Sequence, residues 1–178
     1  MSKRVLILSS SPREGGNSDT LCDQFMKGAI EASHQVEKVF LAQKKINYCR
    51  GCYACGGNGK CVQKDDMSHI LDSMIAADVI VLATPVYFYT MCAQMKTVID
   101  RTVARYMKIT NKDFYFIVTA AVGRKAALAR TIEGFRAFTS CLPRAKEKGV
   151  VYGTGAWNVG DIVGSPAMNE AYEMGKAV

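Results

Sequence analysis

The chain has 178 residues, of which 49% are hydrophobic and 22% charged, a composition that excludes a disordered segment and a membrane-spanning one. The formal charge of +7 comes from lysines and arginines scattered from Lys3 to Lys176, without a basic block or interleaved aromatics, so nucleic acid is not an expected partner. The length suits one domain with a complete core, taken as a single unit over 1–178. No apolar leader with a cleavage site precedes the first predicted strand, and a cytoplasmic location is the expectation.

The first predicted strand, Val5–Ser9, runs into Ser9-Ser10-Ser11-Pro12-Arg13-Glu14-Gly15-Gly16-Asn17-Ser18 just ahead of a predicted helix over Asp19–Ala32. Hydroxyls, backbone N–H groups and a guanidinium are three kinds of anion donor, brought together at the start of a helix. Pro12 and Gly15-Gly16 let the chain turn back, Asn17 or Ser18 can cap the helix, and Arg13 can grip a phosphate through two parallel bonds. An ordinary capped turn is the plainer alternative. Neither G-x-G-x-x-G nor Gly-Lys-Ser/Thr is present, which leaves a monophosphate as the better fit.

Further strands are predicted at Val36–Leu41, Val79–Thr84, Phe114–Ala121 and Val150–Gly153. Helical patterns occupy Met67–Ala77, Met91–Met107, Ala126–Phe138 and Ala167–Lys176, with Asp66 and Ser165 or Pro166 as start signals. This alternation points to the α/β class, a doubly wound parallel sheet of five strands with helices on both faces. The commonest order is 2-1-3-4-5, with the ligand crevice at the carboxyl ends of strands one and three.

Between the second strand and second helix lies a cysteine-rich loop, 47–66. Cys49-x2-Cys52-x2-Cys55-x5-Cys61 sets four thiols among Gly51, Gly56, Gly57 and Gly59. In a reducing compartment such thiols serve metal or redox chemistry more often than disulfides. One short segment of this kind can supply all four thiolates of an iron-sulfur cubane, whereas zinc usually takes two separated pairs. A glycine-rich lid whose thiols merely pack is the other reading. Cys22, Cys92 and Cys141 read as small core hydrophobes, and His34 and His69 as surface or packing residues.

The third strand ends in Thr84-Pro85-Val86-Tyr87-Phe88-Tyr89. Pro85 is expected to stop the ladder, leaving peptide groups free for a ligand's polar edge and aromatics to lie against a flat ring or to plug the core. The fourth ends in Thr119-Ala120-Ala121-Val122-Gly123, small enough for backbone to approach a planar ligand. On the predicted Met91–Met107 helix, Met91, Met95, Val98, Ile99, Thr102, Val103 and Tyr106 form a wide apolar face that packs on the sheet, and if the stripe is wider than the sheet can cover the surplus becomes a dimer contact. Trp157 reads as a groove filler.

Taken together, Ser11-Pro12-Arg13-x-x-Gly16-Asn17-Ser18-x-x-Leu21, Cys49 to Asp66, Thr84 to Phe88, Gln94-Met95-Lys96 to Asp100-Arg101, and Gly160-Asp161-Ile162 to Gly175-Lys176 resemble the flavodoxin-like NAD(P)H-dependent FMN reductases. The likeness runs over nearly the whole chain and falls in the branch that includes the iron-sulfur flavoproteins. By matching positions it implies FMN with its phosphate on Ser11, Arg13, Asn17 and Ser18. It implies a ring lined by Pro85, Val86, Tyr87 and Phe88 on one side and by Thr119, Ala120 and Gly123 on the other.

The same resemblance implies NADPH or NADH as co-substrate, a small acceptor such as a quinone or free flavin, and a homodimer or homotetramer. No protein acid or base is required, so no catalytic side chain is expected. In the iron-sulfur branch Cys49, Cys52, Cys55 and Cys61 would hold a [4Fe–4S] cluster and the chain would act as an electron carrier with a ferredoxin-type partner. A non-enzymatic scaffold with a zinc knuckle is the third reading.

Overall fold

The computed structural model describes residues 1–178. In chain order the elements are β1 (Arg4–Ser9), α1 (Asn17–Glu31), β2 (Gln35–Phe40), α2 (Met67–Ala76), β3 (Val79–Tyr87), β4 (Thr90–Met91), α3 (Ala93–Arg101), β5 (Asp113–Ala120), α4 (Ala129–Ser140), β6 (Lys146–Thr154) and α5 (Pro166–Lys176). Five strands are parallel in the order β2-β1-β3-β5-β6, and the two-residue β4 pairs antiparallel with the end of β3. Counting parallel strands alone, this is the expected 2-1-3-4-5 order of a flavodoxin-like sheet.

The apolar runs Val5-Leu6-Ile7-Leu8 and Val79-Ile80-Val81-Leu82 are buried throughout, because helices cover both faces of a parallel sheet. Alternate residues serve opposite layers. Leu6, Leu8, Ile80, Leu82, Phe114 and Phe116 join the core that also takes in Ile70, Met95 and Phe135 from α2, α3 and α4. Val5, Ile7, Val79, Val81 and Ile117 join the core beneath α1 and α5. Those two helices touch backbone to backbone: a Cβ at Gly28 would lie 2.1 Å from the Tyr172 carbonyl, and one at Gly175 2.0 Å from that of Phe25. No helix is long and apolar enough to cross a membrane.

Three expectations need correction. Pro85 does not end the ladder: it stays in register with Thr119 of β5, and the chain then folds back through β4. The helix expected over Met91–Met107 is shorter, since β4 takes Met91 and α3 ends at Arg101, followed by 3-10 turns at Thr102–Ala104 and Tyr106–Lys108. The Thr102 hydroxyl bonds back to the Ile99 carbonyl at 2.7 Å and Arg105 turns out of helical geometry at φ −148°, so the apolar face breaks and Val103 and Met107 stand exposed. Cys141, expected in the core, is exposed.

Candidate functional site

At the carboxyl edge of the sheet, the ends of β1 and β3 are laced together. Ser10 donates its N–H (3.0 Å) and its hydroxyl (2.7 Å) to the Ala83 carbonyl. The Cys92 thiol donates back to the Ser10 carbonyl at 3.1 Å, and the Cys92 N–H donates to Thr84 Oγ1 at 3.0 Å. Ser11 Oγ closes the next turn, donating to the Arg13 carbonyl and accepting the Arg13 N–H. A Cβ on Gly16 would lie 2.5 Å from that hydroxyl oxygen, so a side chain has no room there.

Helix α1 begins at Asn17 with Gly16 as its cap residue and no side-chain cap. Asn17 and Ser18, expected as caps, are instead the first two helical residues. The N–H groups of Asn17, Ser18 and Asp19 precede any intrahelical acceptor and point the positive end of the helix into the corner. Ser18 is 1% exposed, and its hydroxyl is buried without a hydrogen-bond partner. A buried polar atom left over at a helix N-terminus fits a phosphate oxygen.

The other two residues expected at the phosphate face the loop after β6. Arg13 reaches the Trp157 carbonyl with both terminal nitrogens at 3.3 Å. Asn17 donates to the Asn158 carbonyl at 2.8 Å and accepts the Ile162 N–H at 3.3 Å. Asp161 holds the same loop from inside, accepting the Trp157 and Asn158 N–H groups at 2.9 and 2.7 Å. Trp157, expected to fill a groove, is 72% exposed, because the loop is fastened through its backbone. Bonds from Gly155 N–H to Val122 O and from Ala156 N–H to Ala120 O join this loop to the end of β5.

A hairpin forms the third wall. Val86 pairs with Met91 and Tyr87 with Thr90, leaving Phe88 (φ 47°) and Tyr89 (φ 66°) as its two turn residues, both left-handed. That is the geometry of a type I′ turn, where Asn and Gly are usual. Two aromatics in it cost about 1–2 kcal/mol each. Tyr87, Phe88 and Tyr89 are all exposed, Phe88 almost completely at 99%, so none plugs the core. Thr119 and Ala120 are buried at the neighbouring strand end, and the position a Cβ would take on Gly123 has open space around it.

Next to this corner lies a charged network not singled out in the sequence. Asp19 accepts the Ser9 hydroxyl (2.6 Å), the Gly15 N–H (3.2 Å) and the Lys38 ammonium (2.8 Å), and Lys38 also bonds Asp23. Burial pulls the Lys38 ammonium down, but its bonds to Asp19 and Asp23 outweigh that and leave it above the usual lysine range. Burial pushes the neighbouring Cys22 thiol far up, so it stays protonated and inert.

Cys49, Cys52, Cys55 and Cys61 line one cavity of about 340 Å³, walled also by Asp100, Arg101 and Val103. They share this space without converging: no three cysteine, histidine or carboxylate groups come together to hold a metal ion. Arg101 fastens the loop, donating to the Asn47 carbonyl at 2.6 Å, to both Asp65 oxygens at 2.7 and 2.9 Å, and to Cys61 Sγ at 3.5 Å. The bonds to Asp65 hold the Arg101 guanidinium above its usual range against the opposing effect of burial.

A sequence model of the NADPH-dependent FMN reductases matches residues 3–147. The chain belongs to that family. The chain is 41% identical over 130 residues to an iron-sulfur flavoprotein of Archaeoglobus fulgidus, covering 71% of this chain and 59% of that protein. It is 36% identical over 100 residues to the iron-sulfur flavoprotein of Methanosarcina thermophila, covering 56% and 52%. The chain thus spans between half and three-fifths of the length of these relatives. Among solved structures, the NAD(P)H:quinone oxidoreductase of Methanothermobacter marburgensis superposes with a TM-score of 0.77 over 99% of this chain and 96% of that one, at 14% identity. An FMN-dependent NADH-azoreductase of Bacillus anthracis in complex with FMN gives 0.75 over 98% of both chains, also at 14% identity. At such identities the likeness is one of fold.

Proposed function

We propose that this chain is an FMN-dependent NAD(P)H oxidoreductase that takes electrons from a nicotinamide cofactor and passes them to a small acceptor such as a quinone or a free flavin. The observation that carries the reading is the buried, partnerless Ser18 hydroxyl beside uncapped amides at the start of α1, in a member of the FMN reductase family. The amides of Asn17, Ser18 and Asp19 with the Ser18 hydroxyl would hold the phosphate, and Ser11 shapes the turn that brings them there. Arg13, exposed, and Asn17, buried, fasten the 157–162 loop to the corner, and Arg13 adds positive charge.

Pro85, Val86, Tyr87 and Phe88 would line one side of the ring, and Thr119, Ala120 and Gly123 the other. Bound FMN supplies the two-electron chemistry linking nicotinamide to acceptor. The chain's own part is to orient the two rings and exclude water, and no side chain of the corner is needed as acid or base. The exposed Tyr87-Phe88-Tyr89 edge supports a homodimer or homotetramer in which a second copy covers it. The test is to titrate the purified chain with FMN and assay NADPH and NADH oxidation with a quinone. Tight FMN binding with flavin-dependent turnover is expected, and a chain that leaves FMN free in solution overturns the reading.

One observation favours a second role. Four thiols on one short loop around a single cavity, in a chain whose relatives include iron-sulfur flavoproteins, support a [4Fe–4S] cluster on Cys49, Cys52, Cys55 and Cys61 and an electron carrier working with a ferredoxin-type protein; since the thiols do not converge here, the loop would have to draw them together around the cluster. Iron and acid-labile sulfide in anaerobically purified protein would support the carrier, zinc alone the knuckle scaffold, and neither metal with NAD(P)H oxidation the simple reductase.

A further inference from the structure

A charged network of Asp19, Lys38 and Asp23 adjoins the proposed phosphate corner. Asp19 is buried in the first turn of α1, next to Ser18, and its carboxylate holds two parts of the corner: the hydroxyl of Ser9 at the end of β1 and the N–H of Gly15 in the loop. A carboxylate there favours the helix dipole, yet it also sets a negative charge beside the place where a phosphate would arrive. Lys38, reaching across from β2, is the only cation bonded to it, at 2.8 Å. Its side chain is 17% exposed and that of Asp19 6%, so solvent screens the pair little. Asp23, the other partner of Lys38, is 47% exposed at the rim.

We infer that Lys38 is a positioning residue for the flavin phosphate: it fixes the Asp19 carboxylate that holds Gly15 and Ser9 in place, and cancels the charge that would otherwise repel the phosphate. Lys38 does not touch the ligand. It acts through Asp19, and its effect is therefore confined to ligands that carry the phosphate. This inference rests on the proposed FMN site.

Riboflavin, which lacks the phosphate, separates the two ideas. The full chain, freed of flavin, is titrated with FMN and with riboflavin by fluorescence quenching, as wild type and as Lys38→Met, Lys38→Gln and Lys38→Arg. Lys38→Met should weaken FMN roughly tenfold or more while leaving riboflavin almost unchanged, the effect of one uncompensated charge near the phosphate. Lys38→Gln, which keeps a donor for Asp19 without the charge, should show the same selective loss and serves if the methionine variant does not fold. Lys38→Arg should bind both ligands as wild type does, and Lys38→Met with Asp19→Asn should recover most of the FMN affinity.

Unchanged FMN binding in Lys38→Gln, or equal losses for FMN and riboflavin, overturns the inference and leaves the FMN site standing. A wild type with no preference for FMN over riboflavin overturns the site itself, and the inference with it.

Discussion

Arg101 and Asp65 form a doubly hydrogen-bonded ion pair, Nη1 to Oδ2 at 2.7 Å and Nη2 to Oδ1 at 2.9 Å, with side chains only 2% and 3% exposed. The pair joins the last residue of α3 to the end of the cysteine loop. Since Arg101 also holds the Asn47 carbonyl, one side chain grips both ends of that loop, which the Asn47 N–H also joins by donating to Asp65 at 3.0 Å. Removing the carboxylate strands a buried guanidinium, and Asp65→Ala should cost on the order of 3–5 kcal/mol in urea unfolding. A cost below about 1 kcal/mol would show the loop to be anchored elsewhere.

The same pair gives a pH dependence. Burial alone would raise the Asp65 carboxyl, but its bonds to Arg101 and to the N–H groups of Asn47 and Met67 hold it below the usual carboxylate range. A carboxyl depressed in the folded state adds stability that is complete above its ordinary pKa and is lost as the pH falls through the folded value. The stability gap between wild type and Asp65→Asn should therefore be widest near neutrality and shrink below about pH 4. Thermal melts of both proteins between neutral and acid pH measure it; a gap that does not change with pH contradicts it.

Ser18→Ala should move stability and ligand binding in opposite directions. Without flavin, removing a buried hydroxyl that has no partner relieves an unsatisfied group, so the melting temperature should hold or rise. With flavin, the phosphate loses a contact, and FMN affinity should fall by about 1–3 kcal/mol. Equal FMN binding by the two proteins would remove Ser18 from the site.

The hairpin tip offers a similar trade. Replacing Phe88 and Tyr89 by Asn and Gly puts the preferred residues into the left-handed turn and should stabilise the chain by about 1–2 kcal/mol or more. If the strain is kept for the sake of the aromatic edge, the same double variant should bind flavin less well or lose its oligomeric state. Size-exclusion chromatography and FMN titration report on both; a more stable variant unchanged in each would leave the strain without a function.

Cys52→Ser with Cys55→Ser should abolish any bound iron and sulfide while sparing the flavin. The cysteine cavity and the β1–α1 corner belong to different loops. Metal analysis beside the flavin spectrum checks this, and loss of both groups would show that the cysteine loop also shapes the flavin pocket.

Much of this was legible in the chain itself. The buried runs Val5–Leu8 and Val79–Leu82 announce central parallel strands, and the hydroxyl- and glycine-rich turn after the first of them lies where the sheet's switch point requires. What stayed hidden depends on contacts between distant segments. Nothing local distinguishes Arg13 and Asn17 as fasteners of a loop some 140 residues away, because that role arises only when the loop after β6 folds over the corner. Lys38 and Asp19 sit 19 positions apart on ordinary polar sites and meet only through the β1–β2 pairing. Pro85 misled for a related reason: a missing N–H ends a strand only where the ladder needs it, and here the strand runs on into its own hairpin.

The most direct test of the central claim is a crystal structure of the chain with FMN bound. The phosphate should lie within hydrogen-bonding distance of the Asn17, Ser18 and Asp19 amides and of Ser18 Oγ, with the ring between the β3–β4 hairpin and the Thr119–Gly123 loop. A phosphate bound anywhere else, with the Ser18 hydroxyl still unpartnered, would contradict it.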